Sequence, residues 1–132
     1  MNNFESFSKG KVTVIESFLL VAAGGALGSI LRFAMGNLVS FPFGTMAVNI
    51  LGAFFAGAVI AFFINKVDAK FYFLLMPGFL GGFTTFSAFS VDVLKLWSQQ
   101  NLGVLFFYLV GTVFFSLLCV WLSYKVTLWY LS

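Results

Sequence analysis

Charged residues punctuate this chain so rarely that the apolar runs between them define its organisation. Residues 17–31 are uncharged between Glu16 and Arg32, and residues 33–65 follow, interrupted only by Phe41-Pro42-Phe43-Gly44. Residues 71–91 and 96–124 make two further charge-free runs. A helix needs about 20 mostly apolar residues to cross the hydrocarbon core of a bilayer. The pattern therefore predicts four membrane-spanning helices, at about 16–37, 44–65, 71–96 and 102–125. The connectors are short: 38–43 with its Pro-Gly break, 66–70 with Lys-Val-Asp-Ala-Lys, and 97–101 with Ser-Gln-Gln-Asn. None is long enough to separate two soluble domains. The fold class expected is an all-α integral membrane protein, with 1–132 as a single four-span domain and 1–15 as its polar N-terminal tail. Lys9 and Lys11 followed by an apolar run and Ala22-Ala23-Gly24 also have the order of a cleavable secretory signal. The glycines at 24, 25 and 28 have a better use as helix contacts, so the first span is retained.

Composition agrees with lipid as the solvent. Of 132 residues, 61% are hydrophobic and 8% charged, against about 25% charged in a soluble domain. The same numbers exclude much chemistry. There is no histidine for a triad or an imidazole metal site, and one cysteine makes neither a thiolate cluster nor an internal disulfide. Four carboxylates spread along the chain argue against a paired-carboxylate hydrolase, and a net charge of +3 is too thin for nucleic-acid binding. An enzyme is not expected.

Small residues recur within the spans. Gly24 and Gly28, like Gly78 and Gly82, form G-x-x-x-G pairs, and Gly52, Ala56 and Gly57 continue the theme. In lipid, apolar burial itself drives little association, and small residues let helix backbones approach closely. Four short helices leave little room for a conduit, so the pattern favours an oligomer.

The third span holds the densest candidate chemistry. Residues 77–90 read Pro-Gly-Phe-Leu-Gly-Gly-Phe-Thr-Thr-Phe-Ser-Ala-Phe-Ser, poor material for a regular helix. Two readings stand: a polar kink that only packs, or a discontinuous helix. Broken backbone at membrane depth is tolerated where it is buried in protein or lines a cavity. Its freed carbonyls can hold a cation and its freed N–H groups can face an anion. Phe86 and Phe89 follow at i, i+3 on one face. With 20 phenylalanines in the chain that pairing is easily fortuitous, but a ring edge is electropositive and can face an anion. Tyr108, Thr112 and Ser116 lie at i, i+4 and i+8, a hydroxyl stripe on the fourth span. It serves interhelical bonding or a dehydrated anion. Asn49 is the one carboxamide deep in the second span, with Thr45 a turn before it. Its amide suits either the cap of a broken helix or an ion. Arg32, near the end of the first span, is a functional residue or one that snorkels to the interface. Asp92, a turn beyond Phe89 and near the span end, reads as a solvated carboxylate.

These pieces together resemble a known family. The run at 78–90, GFLGGFTTFSAFS, is similar to the signature of the small bacterial fluoride channels (Fluc, also called CrcB). Gly24-Gly25-Ala26-Leu27-Gly28 with Arg32 resembles that family's first span, and Gly44-Thr45-Met46-Ala47-Val48-Asn49-Ile50-Leu51-Gly52 its second-span motif. The resemblance covers about residues 18–125, with the motifs in the expected order. It implies a passive fluoride-selective channel in the bacterial plasma (inner) membrane, exporting fluoride accumulated in acid. It further implies an antiparallel, dual-topology dimer with two pores, formed with a second copy or an oppositely oriented paralogue. A structural sodium ion would sit on the backbone carbonyls of Gly81 and Thr84 from both subunits. Phe86 and Phe89 would line each pore with Asn49, the hydroxyls of Tyr108, Thr112 and Ser116, and those of Thr85 and Ser87. Arg32 would stand at the vestibule. Two departures are visible: Ala88 replaces the family's usual threonine, and Asp92 replaces its usual glutamate.

Lysine and arginine positions bear on topology. Lys9, Lys11, Lys66, Lys70 and Lys125 fall on one side of the expected membrane, Arg32 and Lys95 on the other. A dual-topology chain should show little such bias. Five against two favours both termini in the cytoplasm, as in one half of a paired, oppositely oriented heterodimer, although the homodimer is the preferred expectation. A rival function is a proton-coupled four-span multidrug exporter, which needs a membrane-buried carboxylate. Glu16 is the candidate for it, at the edge of the first span. A non-transporting assembly subunit gives no reason for a broken third span.

Overall fold

The computed structural model describes residues 12–64 and 68–132, and among these it has four helical spans long and apolar enough to cross a membrane. The first is α1 (Val14–Leu38). It starts two residues before the sequence expectation because Thr13 and Glu16 form a capping box. Glu16 N–H donates to Thr13 Oγ1 at 3.2 Å, and Thr13 N–H donates to Glu16 Oε2 at 3.0 Å, satisfying two donors that a helix start leaves unpaired. α2 (Phe43–Phe63) begins after Pro42, a residue that can precede a helix but cannot continue one.

The third span is composite. Asp68 caps α3 (Ala69–Phe73) by accepting Phe71 N–H at 3.3 Å. The helix then widens into a π-helical stretch, Leu74–Leu80, that contains Pro77. Proline lacks the N–H that an α-helix requires at that point, and wide turns are one way a helix accommodates it. One further α-turn, α4 (Gly81–Phe83), precedes two extended residues, Thr84 and Thr85, and α5 (Phe86–Ser98) completes the span. The discontinuity thus falls on the threonines, while Gly81 and Gly82 stay helical. β-branched side chains favour extended backbone. The fourth span, α6 (Leu102–Leu131), is capped by Asn101 and continues six residues past the expected end at 125. Lys125 therefore sits on a helix face. Lys9, Lys11 and Lys66 lie outside the described residues.

Spans one and three pack together, as do two and four. α1 lies along the π-helical stretch and α4 at backbone contact. A Cβ added at Gly24 would meet the Leu74 carbonyl oxygen and, at 2.7 Å, the Phe79 nitrogen. One at Gly28 would meet the Phe79 carbonyl oxygen and, at 2.8 Å, the Phe83 nitrogen. Both G-x-x-x-G pairs of the sequence are used in this seam, since Gly82 faces Gly25 and Gly78 faces Gly24. α2 packs along α6, with Gly57 against Val120 and Ser123, and Gly111 against Met46. The small core at one end of this pair is Met46, Phe89, Leu96 and Tyr108. Outward faces are apolar: Phe18, Phe33, Phe106 and Trp121 are all exposed. An apolar exterior on four spans of this length makes the chain a multi-pass membrane protein.

Candidate functional site

The break is held open by one side chain from the second span. Asn49 Nδ2 donates to the Thr85 carbonyl at 3.0 Å, and Thr85 N–H donates to Asn49 Oδ1 at 2.8 Å. The amide pairs with the backbone as a neighbouring strand would. In an unbroken helix that Thr85 N–H would bond the Gly81 carbonyl. Three residues on, Ala88 N–H donates to Thr85 Oγ1 at 3.1 Å, where an unbroken helix would have it bond the Thr84 carbonyl. The hydrogen bonds that build the break therefore draw helical donors away from Gly81 and Thr84, the two residues named from the sequence as cation ligands. Thr84 N–H and Oγ1 both donate to the Leu80 carbonyl at 2.9 Å, tying off the end of α4.

A groove of about 530 Å³ runs beside this point. Gly81, Thr84, Thr85 and Asn49 form its polar floor, and Phe86, Phe89, Thr112 and Ser116 stand on its walls. Thr112 Oγ1 and Ser116 Oγ are buried without a hydrogen-bond partner. Other hydroxyls in these helices turn back on their own backbone: Ser29 to the Ala26 carbonyl, Ser90 to the Phe86 carbonyl, Ser123 to the Val120 carbonyl. Those of Thr112 and Ser116 do not. A buried hydroxyl left unpaired costs about 1–3 kcal/mol, so two in register mark a place for something polar.

Phe86 and Phe89 have ring centroids 5.6 Å apart and planes inclined at 40°. Phe86 is 79% exposed at the groove mouth, whereas Phe89 is buried. Phe89 stacks on Tyr108, centroids 5.3 Å apart and planes at 28°. Tyr108 is fully buried and donates its hydroxyl to Asp92 Oδ2 at 3.0 Å. Asp92, read from the sequence as solvated, is buried: a shared face with Phe89 turns it inward against α6. That i, i+3 spacing was the available signal, since whatever buries Phe89 also buries Asp92. Tyr108 and Ser87 do not line the groove. The Ser87 hydroxyl is exposed and 3.2 Å from Thr85 Oγ1.

On the far side of Thr85 lies a second cavity, of about 360 Å³. Arg32 lines it with Ser29, Asn37 and Thr45, and Thr85 and Ala88 close its inner end. Arg32 is half-buried and has no ion pair among the described residues. Thr85 belongs to both cavities, so only the Asn49–Thr85 clamp and its neighbours stand between them. Thr45 adjoins the Tyr108 hydroxyl. Glu16, by contrast, is a helix-cap residue at the outer end of α1, 3.7 Å from Lys70 Nζ and far from any core.

Among the described residues no three His, Cys, Asp or Glu side chains come together. A cation at the break would be held by neutral, hard oxygen donors, the carbonyls and hydroxyls at 81–84.

The family described as CrcB-like protein, Camphor Resistance (CrcB), matches residues 19–124. The fluoride-specific ion channel FluC 2 of Bacillus cereus is 40% identical over 111 residues, spanning 82% of this chain and 94% of its own. The fluoride-specific ion channel FluC of Francisella tularensis subsp. mediasiatica is 36% identical over 121 residues, 83% of this chain and 93% of its own. A fluoride-specific ion channel FluC of Thermus thermophilus is 38% identical over 121 residues, 85% of this chain and 94% of its own.

Proposed function

The chain belongs to the CrcB family, and on that premise we propose that it is a fluoride-selective channel of a bacterial membrane, passing the anion by electrodiffusion out of the cytoplasm. Its relatives carry the names of ion channels, not of enzymes. The observation that carries the reading is the pair of buried, unpartnered hydroxyls at Thr112 and Ser116 beside a broken helix. A fluoride ion gives up strongly held water to enter a membrane. Donors with no internal partner replace that water without first breaking a protein hydrogen bond. Asn49 adds to them, because its amide carries two N–H groups and Thr85 takes one. The ring edges of Phe86 and Phe89 supply electropositive C–H without a fixed charge that would trap the ion. Arg32 concentrates anions in the second cavity.

The groove is open along one side in the single chain, and Phe86 faces outward there. Polar floor facing lipid is costly. The reading is completed by a second, oppositely oriented copy, or a paralogue, that closes the groove into a pore on each side of the pair. The carbonyls of Gly81 and Thr84 from both copies would then hold a sodium ion at the centre, where its charge offsets the converging carbonyl dipoles. The exporter reading has lost its residue, since Glu16 is spent on a cap and on Lys70.

The test is fluoride efflux from liposomes containing this chain alone, with chloride-loaded vesicles in parallel. Rapid fluoride loss with chloride retained is expected. Retention of both anions by well-folded protein would overturn a channel made of this chain alone, and co-expression with a paralogue would then decide between the two partners.

A further inference from the structure

We propose that an apolar groove where the second span ends and the third begins seats an acyl chain of a phospholipid, whose headgroup ammonium pairs with Asp68. The inference is independent of the ion that the chain conducts.

The groove has a volume of about 600 Å³ and lies between the end of α2, the start of the third span and the last turns of α6. Ala58, Val59 and Leu75 line it and are half-buried. Phe62 and Phe71 are its exposed walls. Two polar residues complete it, Asp68 and Thr127, and both stand where spans end. Asp68 is the N-cap of α3, and Thr127 is one turn short of Leu131. From Asp68 to Leu75 the helix rises about 10 Å. That matches the depth of the boundary between headgroups and acyl chains.

Charge selects the headgroup. Asp68 Oδ1 accepts the Phe71 N–H at 3.3 Å, which leaves the second carboxylate oxygen for a ligand. Asp68 has no ion pair among the described residues, since Lys70 Nζ lies 3.7 Å from Glu16. Lys125 is two residues from Thr127 and so on another face of α6. A primary ammonium has three N–H groups to donate to a carboxylate. The quaternary ammonium of choline has none, so the site favours ethanolamine over choline. Thr127 adds a hydroxyl that can donate to the headgroup phosphate. The rival occupant is a second copy of the chain. The groove beside the break has a polar floor that lipid covers only at a cost. This one is apolar except at its mouth, where its one charge sits at headgroup level, as a lipid requires.

The experiment is native mass spectrometry of the full chain, titrated in detergent with phosphatidylethanolamine or phosphatidylcholine carrying identical acyl chains. The ethanolamine lipid should bind at one site per chain, about fivefold more tightly than the choline lipid. Asp68→Asn keeps an acceptor for the Phe71 N–H and so keeps the helix cap. It should bring the two lipids to within about twofold of each other. Ala58→Leu sets a larger side chain in the groove and should weaken both lipids together. Equal affinities in the wild type, or a preference undiminished in Asp68→Asn, overturn the proposal. So does an Ala58→Leu variant that separates into single chains with lipid binding unchanged, which would give the groove to a second copy.

Discussion

Asn49 and Phe86 separate two kinds of importance. Asn49 accepts from the Thr85 N–H, which the break leaves without its helical partner, and donates to the Thr85 carbonyl at membrane depth. Asn49→Ala should lower stability by about 1–3 kcal/mol, because the buried Thr85 N–H loses its acceptor. Thermal unfolding in detergent will show it, and an unchanged midpoint would mean that water takes the place of the amide. Asn49→Asp keeps the acceptor for Thr85 N–H, loses the donor, and sets a negative charge on the groove floor. Its flux should fall further than its stability. Phe86 is 79% exposed, so Phe86→Ile leaves the fold of the chain untouched. It removes a ring edge while keeping apolar bulk, and flux should drop about tenfold. Normal flux would make the ring pair ordinary packing.

At the scale of elements, the third span is shaped by what surrounds it. The seam with α1 is backbone on backbone, so neither side can yield. Gly28→Ala would drive a methyl into the Phe79 carbonyl. Overpacking of this kind costs about 1–3 kcal/mol. Gly36 in the same helix has nothing within 4 Å of an added Cβ. Gly36→Ala should therefore be neutral or stabilising by up to about 1 kcal/mol, as helix propensity dictates. Melting curves of the two variants test the seam directly, and equal midpoints would contradict it. The π-helical stretch adjoins this seam, and the close glycine contacts accommodate its wider backbone against α1.

The whole molecule is defined by an incomplete surface. Most of the exterior is apolar and suits lipid, but the groove floor at Asn49, Thr84 and Thr85 is polar and open. A second copy would close it, and the paired carbonyls of Gly81 and Thr84 would then face one another. If sodium occupies that centre, replacing it on both sides with a large organic cation should weaken the pair and lower fluoride flux several-fold. Flux and dimer content indifferent to the cation would take sodium out of the mechanism. The prediction belongs to the proposed assembly, in which each chain would contribute half of the carbonyl donors.

Four spans, their order and the interrupted third helix were legible in the chain because charge-free length and glycine-threonine density are local properties. The glycine seam was legible for the same reason, since small residues a turn apart mark a face without reference to the partner. Even the helix ends differ from expectation by only a few residues, and α6 outruns its expected end because Lys125 can lie on a helix surface as readily as in a tail. What the fold alone decided is how polar groups pair. Asn49 finds Thr85 across 36 positions, and Tyr108 finds Asp92 across 16. Neither pairing has a periodicity to betray it. The stripe Tyr108, Thr112 and Ser116 looks uniform along the helix, yet packing commits the first hydroxyl to a buried carboxylate and leaves the other two unpartnered. The physical reason is that a side chain's face follows from helical repeat, whereas its hydrogen-bond partner follows from which helices pack against that face and at what depth.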